Sequence, residues 1–294
     1  MAIPVILNAA AGEGWSDDRI GALAASFARA GSPATILRAG DGREVREQAE
    51  RALHERPAVL VAAGGDGTVS AVASMIHSSG TALGVLPLGT FNNFARDLGI
   101  PLQVDAAIDV VAHGRRIAVD LGEVNGRVFV NNSSLGLYAD LVRDRRRHQR
   151  RLGGGKRRAL AWAALTVLRR SPFLRLTVML DGREAHYRTP FLFVGNNEYT
   201  MQGFDIGRRA SLQAGRLSLY LTHRGTRLGL VALALRALAG RLRQARDFEC
   251  TTAREIEVAT RQRYARVAAD GELFMMATPI RYRIRPGALQ VLVP

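Results

Sequence analysis

Short apolar runs alternate with amphipathic stretches through the first third of the chain. The apolar runs predict strands at Ile3–Leu7, Ala34–Leu37, Val59–Ala62 and Leu83–Leu86. The stretches between them predict helices at Asp17–Ala30, Arg43–His54 and Val69–His77. Alternating strands and helices indicate a parallel sheet covered on both faces, and strands without polar interruptions fit burial on both sides. Ligands of such sheets bind beyond the carboxyl ends of the strands.

The pattern changes after about residue 120. The later apolar runs predict strands at Arg127–Asn131, Leu174–Leu180, Tyr187–Val194, Arg216–Thr222, Glu255–Ala259 and Ile280–Ile284, with turns such as Asp181-Gly182 and helices near Leu160–Arg170 and Leu228–Arg243. We therefore predict two domains. Residues 1–120 form an α/β domain with a parallel sheet. Residues 121–294 form a mainly β domain, a sandwich, whose last strand can return towards the first domain.

The composition is that of a folded globular chain. Its 294 residues are 47% hydrophobic and 23% charged, which leaves enough apolar surface to bury two cores. Cys250 is the single cysteine, so the chain has no intramolecular disulfide, and a reducing compartment fits. The apolar stretches Ala159–Leu168 and Leu228–Leu235 are well short of the ~20 residues that cross a bilayer.

The segment Gly64-Gly65-Asp66-Gly67-Thr68 follows a buried strand and precedes a helix. Glycines let the backbone approach phosphate oxygens, and the amide groups at a helix start bind anions. An acidic residue repels phosphate, but Asp66 is explained if it holds Mg²⁺, directly or through water, or orients a hydroxyl group. The alternative is an ordinary strand-to-helix turn, in which Gly-Gly and Asp-Gly are common.

A second glycine turn follows the next strand, in the segment Leu83–Arg96. There Gly89-Thr90 precedes a short predicted helix. Two such loops at neighbouring strand ends can hold one triphosphate from two sides. Neither loop is a Walker A motif, because no Gly-Lys-Ser/Thr follows.

Together, Gly64–Thr68 and Pro87–Arg96 resemble the signature of the diacylglycerol kinase catalytic domain, a family that includes bacterial lipid kinases and, more distantly, sphingosine and ceramide kinases. Asn8–Gly12, Asp120–Gly122, Phe129–Asn132 and Asp270–Glu272 also resemble motifs of this family. The resemblance implies an α/β fold of the NAD kinase and diacylglycerol kinase type. It also implies transfer of the ATP γ-phosphoryl group to a lipid hydroxyl, with Mg²⁺.

The resemblance further implies the roles of individual residues. Asp270 is the expected general base, since a nearby carboxylate can take the proton of a poorly nucleophilic alcohol. Asp66 and Asp120 are the expected metal-binding residues, through water. The expected cofactor-binding residues are Asn8, Gly12, Gly64, Gly65, Asp66, Gly67, Thr68, Gly89, Thr90, Asn93 and Glu272. The residues themselves leave an alternative for Asp270, because Ala269–Glu272 is also typical of a hairpin turn.

The sequence departs from the family pattern at three places. Asn93 stands where relatives usually have aspartate, which removes one carboxylate from the metal-supporting network. Ser211–Arg216 contains no carboxylate where bacterial relatives bind a structural Mg²⁺, so we expect no metal there. Asn8 is followed by three alanines rather than by Pro and Ser. A NAD kinase-like enzyme and a catalytically weak, lipid-binding or regulatory protein therefore stand as alternatives to a lipid kinase.

The net charge of +15 is unevenly distributed. Arg143–Arg158 contains nine basic residues against one acidic residue, and we expect Gly153–Gly155 to keep this run flexible. It is either a solvated loop or a contact for anionic lipid headgroups, at ~1 kcal/mol per basic residue. We expect a cytoplasmic protein, peripheral to the inner face of the membrane, whose lipid substrate lies at an anionic surface. Nucleic acid is not expected, because no aromatic residues interleave the run.

Overall fold

The computed structural model describes residues 2–11, 14–136, 173–202, 205–221 and 249–294. The chain divides into two compact units that alternate along the sequence. Unit 1 comprises Met1–Leu121, Ser211–Ala214 and Arg285–Pro294, and unit 2 comprises Gly122–Ala210 and Gly215–Ile284. Two segments from the later part of the chain therefore belong to unit 1.

Unit 1 is an α/β structure. Its elements are β1 (Ile3–Asn8), α1 (Asp17–Arg29), β2 (Ala34–Ala39), α2 (Gly42–His54), β3 (Val59–Gly64), α3 (Asp66–Ile76), β4 (Ala82–Pro87), α4 (Asn93–Asp97) and α5 (Val104–His113), followed by most of β5 (Arg115–Val124). The strand order is β2-β1-β3-β4, and these pairs are parallel. The end of β18 (Ile280–Val293) adds to β4, also parallel.

The helices of unit 1 begin where the sequence provides a cap. The Ser16 side chain accepts the N–H of Arg19 before α1, and the Asp41 carboxylate accepts the N–H groups of Arg43 and Glu44 before α2. Such caps satisfy amide groups that have no partner within the helix, and an acidic cap also complements the helix dipole. These hydrogen bonds lower the pKa of Asp41.

Unit 2 is a β sandwich. Its strands are the end of β5, β6 (Arg127–Phe129), β7 (Asn132–Gly136), β8 (Leu174–Leu180), β9 (Arg183–Thr189), β10 (Phe191–Asn196), β11 (Tyr199–Gln202), β12 (Asp205–Arg209), β13 (Leu217–Leu221), β14 (Glu249–Ala253), β15 (Glu255–Thr260), β16 (Tyr264–Ala269), β17 (Glu272–Ala277) and the start of β18. One sheet has the order β14-β13-β10-β7-β16-β17. In the other sheet, the start of β18 pairs with β15, β15 pairs with β8, and β8 pairs with β9. Side chains from both sheets, among them Leu192 and Val258, form one buried cluster.

Three hairpins of unit 2 have a two-residue Asx-Gly turn. Asn125-Gly126, Asp181-Gly182 and Asp270-Gly271 each have two positive φ angles, between +44° and +87°. Asn, Asp and Gly tolerate this conformation, and it matches the twist of paired strands. The predictions of a turn at Asp181-Gly182 and of a hairpin at Ala269–Glu272 are confirmed by the strand pairing.

Several sequence-based boundaries are wrong. The predicted strand Tyr187–Val194 is two strands separated at Pro190, which has no amide donor for a continuous ladder. The third helix begins at Asp66 rather than Val69. Helix α5 was not predicted, nor were β5, β7, β11, β12, β14, β16 and β17. The predicted helices Leu160–Arg170 and Leu228–Arg243 lie outside the described residues. In the part of the chain that is described, no helix is long and apolar enough to span a bilayer.

Candidate functional site

The loop after β3 is shaped by close packing around its first glycine. A Cβ atom on Gly64 would lie 2.4 Å from Thr68 Oγ1, so no other residue fits there without displacing the threonine. The same Oγ1 accepts a hydrogen bond from Asn8 Nδ2 at 3.0 Å, which connects the end of β1 to the loop. Asn8 and Thr68 therefore belong to one arrangement at the carboxyl ends of neighbouring strands.

The two glycine loops touch through their backbones. A Cβ atom on Gly89 would lie 2.4 Å from the Cα atom of Gly65, and one on Gly65 would lie 3.3 Å from the Cα atom of Gly89. The N–H of Leu88 also donates to the carbonyl of Gly64 at 3.0 Å. The structure thus brings together the two loops that the sequence indicated, and it does so through a contact that side chains would prevent.

Helix α3 starts beside this contact without a side-chain cap. Gly65 is its N-cap residue and provides no side-chain hydrogen bond. Gly67, in the first turn, is exposed. A helix of 11 residues with an uncapped and accessible first turn presents amide groups and a positive dipole end to an anion. The loop can therefore bind phosphate.

Asn92 organises the second loop and was not predicted as a site residue. It is 7% exposed and has a left-handed φ of 51°. Its Oδ1 accepts the N–H of Gly89 at 2.9 Å, and its Nδ2 donates to the carbonyls of Pro87 and Gly89. Asn93, the predicted residue, is the exposed first residue of α4. The signal in the sequence was the Asn-Asn pair, since asparagine is among the few residues that adopt this conformation.

The two predicted metal-binding carboxylates have different surroundings. Asp66 is the partly buried first residue of α3, and its Oδ1 accepts the N–H of Phe94 at 3.2 Å. Asp120 is 3% exposed, and its Oδ1 accepts the N–H of Gly287 at 2.9 Å. Mg²⁺ is often held by one or two carboxylates with water and substrate phosphates. Asp66 fits this chemistry, and Asp120 also connects β5 to β18 through its hydrogen bond. The metal-binding roles of both carboxylates stay predictions. Within the described ranges, no group of three or more His, Cys, Asp or Glu side chains could hold a metal by itself.

Asp270 lies in unit 2, in the turn between β16 and β17. Its carboxylate accepts three backbone hydrogen bonds, from Val130 at 2.7 Å, Asn131 at 2.8 Å and Asn132 at 3.1 Å. These bonds end β6 at Phe129, which is why the predicted strand Arg127–Asn131 is too long. Glu272, the first residue of β17, is partly buried. The roles predicted for Asp270 and Glu272 stay predictions.

The carbonyl side of the segment Val130–Asn132 is held by residues that the sequence did not reveal. Arg209, 5% exposed, donates to the Val130 carbonyl at 2.8 Å and to the Asn131 side chain at 2.8 Å. Asn196 Nδ2 also donates to the Val130 carbonyl, and Tyr199 Oη donates to the Asn131 carbonyl. With Asp270 on its amide side, this segment is fixed on both sides.

Four predicted positions or segments remain. Thr90 is exposed in the second loop. Gly12 lies outside the described residues, as does the basic run Arg143–Arg158. Ser211–Ala214 belongs to unit 1, where Gln213 Nε2 donates to the carbonyl of Ala118 at 2.7 Å. A neutral hydrogen bond therefore attaches this segment to β5.

Comparison with known proteins gives matches along nearly all of the chain. Residues 2–124 match the family model of the diacylglycerol kinase catalytic domain. Residues 138–293 match that of the YegS C-terminal NAD kinase β-sandwich-like domain. A diacylglycerol kinase from Staphylococcus aureus strain Newman is 45% identical over 91 residues, which cover 30% of this chain and 29% of that protein. The matched region is thus less than a third of the curated relative.

Solved structures extend the likeness to the whole chain at the level of fold. A diacylglycerol kinase from Bacillus anthracis strain Sterne superposes with a TM-score of 0.71 at 17% identity, covering 100% of this chain and 97% of that one. Yeast NADH kinase, solved in complex with NADH, superposes with a TM-score of 0.53 at 10% identity, covering 100% and 84%. The chain belongs to the diacylglycerol kinase catalytic domain family, with a YegS-type, NAD kinase-like β sandwich as its C-terminal domain.

Proposed function

We propose that this protein is an ATP-dependent lipid kinase, which transfers the γ-phosphoryl group to the hydroxyl of diacylglycerol or a similar long-chain lipid alcohol. The observation that carries the proposal is the backbone contact between Gly65 and Gly89. Two glycine loops in contact at the ends of β3 and β4, one of them opening an uncapped helix, form a cradle for a polyphosphate. Membership of the diacylglycerol kinase catalytic domain family supports phosphoryl transfer as the type of reaction.

The phosphate chain is held by the backbone of unit 1 in this proposal. Amide groups at the start of α3 bind phosphate oxygens, and the Asn8–Thr68 hydrogen bond keeps the β1 end against the same loop. Mg²⁺, when bound, neutralises the charge that develops on the transferred group. Asp66 would hold this ion through its carboxylate, directly or through water. Asp120, being buried, contributes by keeping β5 in place.

Asp270 is proposed as the general base that accepts the proton of the lipid hydroxyl as the oxygen–phosphorus bond forms. Three amide donors fix its carboxylate, and a base that is already oriented loses little entropy in the transition state. The same bonds give Asp270 a structural role. A test of the base must therefore separate loss of folding from loss of turnover.

The proposal is tested with γ-labelled ATP, an extracted lipid mixture and, in a parallel reaction, NAD. The expected product is a lipid whose mass has increased by one phosphate and which carries the label. Labelled NADP would instead identify a NAD kinase, and the lipid proposal would be wrong. Binding of lipid and nucleotide with no product from any lipid would indicate a regulatory member of the family. Omitting Mg²⁺ provides the control, since transfer should then stop.

A further inference from the structure

The outer face of one sheet of unit 2 has an uneven distribution of charge. Leu176, Val178, Ile256 and Val258 point into the core. Because side chains alternate along a strand, the residues next to them point to solvent on the opposite face. On strands β9, β8, β15 and β18 the outward residues include both arginines and glutamates.

At one end of this face, arginine and glutamate side chains are paired. Arg281 Nε lies 2.9 Å from Glu257 Oε2, and Arg283 Nη2 lies 2.9 Å from Glu123 Oε1. These contacts neutralise the basic side chains at this end. The hydrogen bond to Glu123 is the main cause of the raised pKa of Arg283.

At the other end, three exposed arginines lie side by side. Arg175 of β8 is the register partner of Arg188 of β9, and Arg261 directly follows Thr260, which pairs with Leu176. Like charges directly opposite each other on neighbouring strands destabilise a sheet. Within the described part of the chain, no acidic side chain forms an ion pair with any of the three. The repulsion among them would be relieved by an anion.

These arginines line a surface groove of about 580 Å³, together with Thr177, His186 and Thr260. The guanidinium of Arg188 lies 5.3 Å from the centre of the Phe173 ring, which keeps it beside the groove. Guanidinium groups bind phosphate oxygens in a bidentate manner. The Thr177 hydroxyl, which lies 3.1 Å from His186 Nδ1, adds a polar group between the arginines, whereas the Thr260 hydroxyl donates to the Gln262 carbonyl. The chemistry of the groove is therefore that of a phosphate-binding surface.

We propose that Arg175, Arg188 and Arg261 form a docking surface for the phosphate groups of an anionic phospholipid membrane. A row of arginines across three strands of an exposed sheet face suits a surface with many phosphates better than a single enclosed anion. Met179, 40% exposed and next along β8 on the same face, provides an apolar contact beside the basic groove. Phe173 is partly buried and lies beside Arg188, so it is not presented for stacking on a nucleic-acid base.

The test measures sedimentation with phosphatidylcholine vesicles, with and without an anionic phospholipid, in the absence of nucleotide. The variant Arg175→Gln/Arg188→Gln/Arg261→Gln is compared with Arg43→Gln/Arg46→Gln/Arg51→Gln, which makes the same charge change at exposed positions of α2. Loss of the three groove arginines should weaken binding to anionic vesicles on the order of one hundredfold. The α2 variant should bind within a few-fold of the unmodified protein. Neither variant should have a markedly lower melting temperature, because the groove arginines repel one another and the ion pair of Arg43 with Glu47 is exposed.

The proposal would be wrong if the two triple variants lost the same vesicle affinity, or if the groove variant bound anionic vesicles as tightly as the unmodified protein. It would also be wrong if millimolar glycerol phosphate displaced the protein fully from the vesicles, or if a short RNA bound more tightly than anionic vesicles do. The docking surface rests on the proposed function in one respect: a lipid kinase has to reach a substrate that lies in a membrane. Lipid phosphorylation in detergent micelles, measured on the same variants, should be unchanged. The vesicle experiment tests the docking surface and the micelle experiment tests the kinase reaction, so either proposal can be contradicted without the other.

Discussion

The carboxylate of Asp270 accepts a hydrogen bond from the amide N–H of Val130, with 2.7 Å between the oxygen and the nitrogen. The same arrangement occurs at another Asx-Gly turn of unit 2. There the Asp181 carboxylate accepts the N–H groups of Arg254 and Glu255, at 3.0 and 2.9 Å. In both turns an aspartate with positive φ attaches its hairpin to the backbone of a neighbouring segment. Asp181 is therefore a natural control for Asp270, because it has the same structural role and no proposed part in catalysis.

Asp270→Asn and Asp181→Asn should both lower the free energy of unfolding. An amide has one acceptor oxygen, so Asp270→Asn loses the hydrogen bond between Val130 and Oδ2, at a cost of about 1–3 kcal/mol for this partly buried group. In Asp181→Asn the Oδ1 atom can still accept both N–H groups and only the 3.3 Å contact of Oδ2 is lost, so the cost is smaller. Only Asp270→Asn should reduce kcat by orders of magnitude while leaving ATP affinity nearly intact. Urea unfolding and steady-state kinetics on folded protein separate the two effects. Equal kcat values for both variants would remove Asp270 as the base.

Gly89→Ala should separate the two glycine loops. The added Cβ would lie 2.4 Å from Gly65 Cα, so the backbone has to move, at a cost of about 1–3 kcal/mol. Nucleotide affinity should fall with it, because both loops contribute to the same cradle. Gly21→Ala is the matched control. It lies in the interior of α1 with no atom within 4 Å of the added Cβ, and it should stabilise the helix by about 0.5–1 kcal/mol. Melting temperature and ATP titration report both quantities, and an unchanged ATP affinity in Gly89→Ala would contradict the cradle.

Asp66→Asn should change the response to Mg²⁺ more than it changes folding. The Asn Oδ1 atom can still accept the N–H of Phe94, so α4 keeps its contact and the melting temperature should stay near that of the unmodified protein. The charge that would attract the ion is lost, and half-maximal activity should require roughly 10- to 100-fold more Mg²⁺. Titrating Mg²⁺ at saturating ATP gives the measurement. An unchanged Mg²⁺ requirement would show that Asp66 does not support the metal.

The elements and site residues of unit 1 could be predicted from the sequence better than those of unit 2, and the reason is physical. In unit 1, β3 and β4 are buried along almost their whole length and each is followed by a glycine-containing loop, so Gly64–Thr68 and Gly89 could be placed from local sequence. The role of Asn92 could not, because its hydrogen bonds depend on a backbone conformation that Asn93 could equally have adopted. In unit 2, Arg209 is buried by contacts with residues 78 and 79 positions away. A single sequence carries no local signal for such a contact.

Gln213→Ala should loosen the segment Ser211–Ala214 without creating any dependence on metal. Its Nε2 hydrogen bond to the Ala118 carbonyl is on the surface, so the expected loss is about 0.5–1 kcal/mol. A chelator should leave the melting temperature of the unmodified protein unchanged, because the segment contains no carboxylate for a structural Mg²⁺. Thermal unfolding with and without the chelator measures both effects. A fall of several degrees on chelation would refute the expectation that this segment binds no metal.

Ser133 and Ser134 are adjacent in β7 and both are fully buried, yet only the replacement of Ser133 with alanine should destabilise the fold. Ser133 Oγ donates to the carbonyl of Ala268 at 2.8 Å, and it lies 3.2 Å from the hydroxyl of Tyr282, whose pKa is raised by burial. The tyrosine therefore stays protonated and donates to Ser133. Ser133→Ala leaves that hydroxyl without its acceptor and should cost about 1–3 kcal/mol.

Ser134 Oγ has no hydrogen-bond partner among the described residues. Burial of such a hydroxyl costs free energy, so Ser134→Ala should be neutral or stabilise the fold by about 1 kcal/mol. Urea unfolding of the two variants side by side tests the pair, since both replacements remove one oxygen from neighbouring positions of the same strand. A destabilisation of Ser134→Ala as large as that of Ser133→Ala would mean that the Ser134 hydroxyl has a partner in solution.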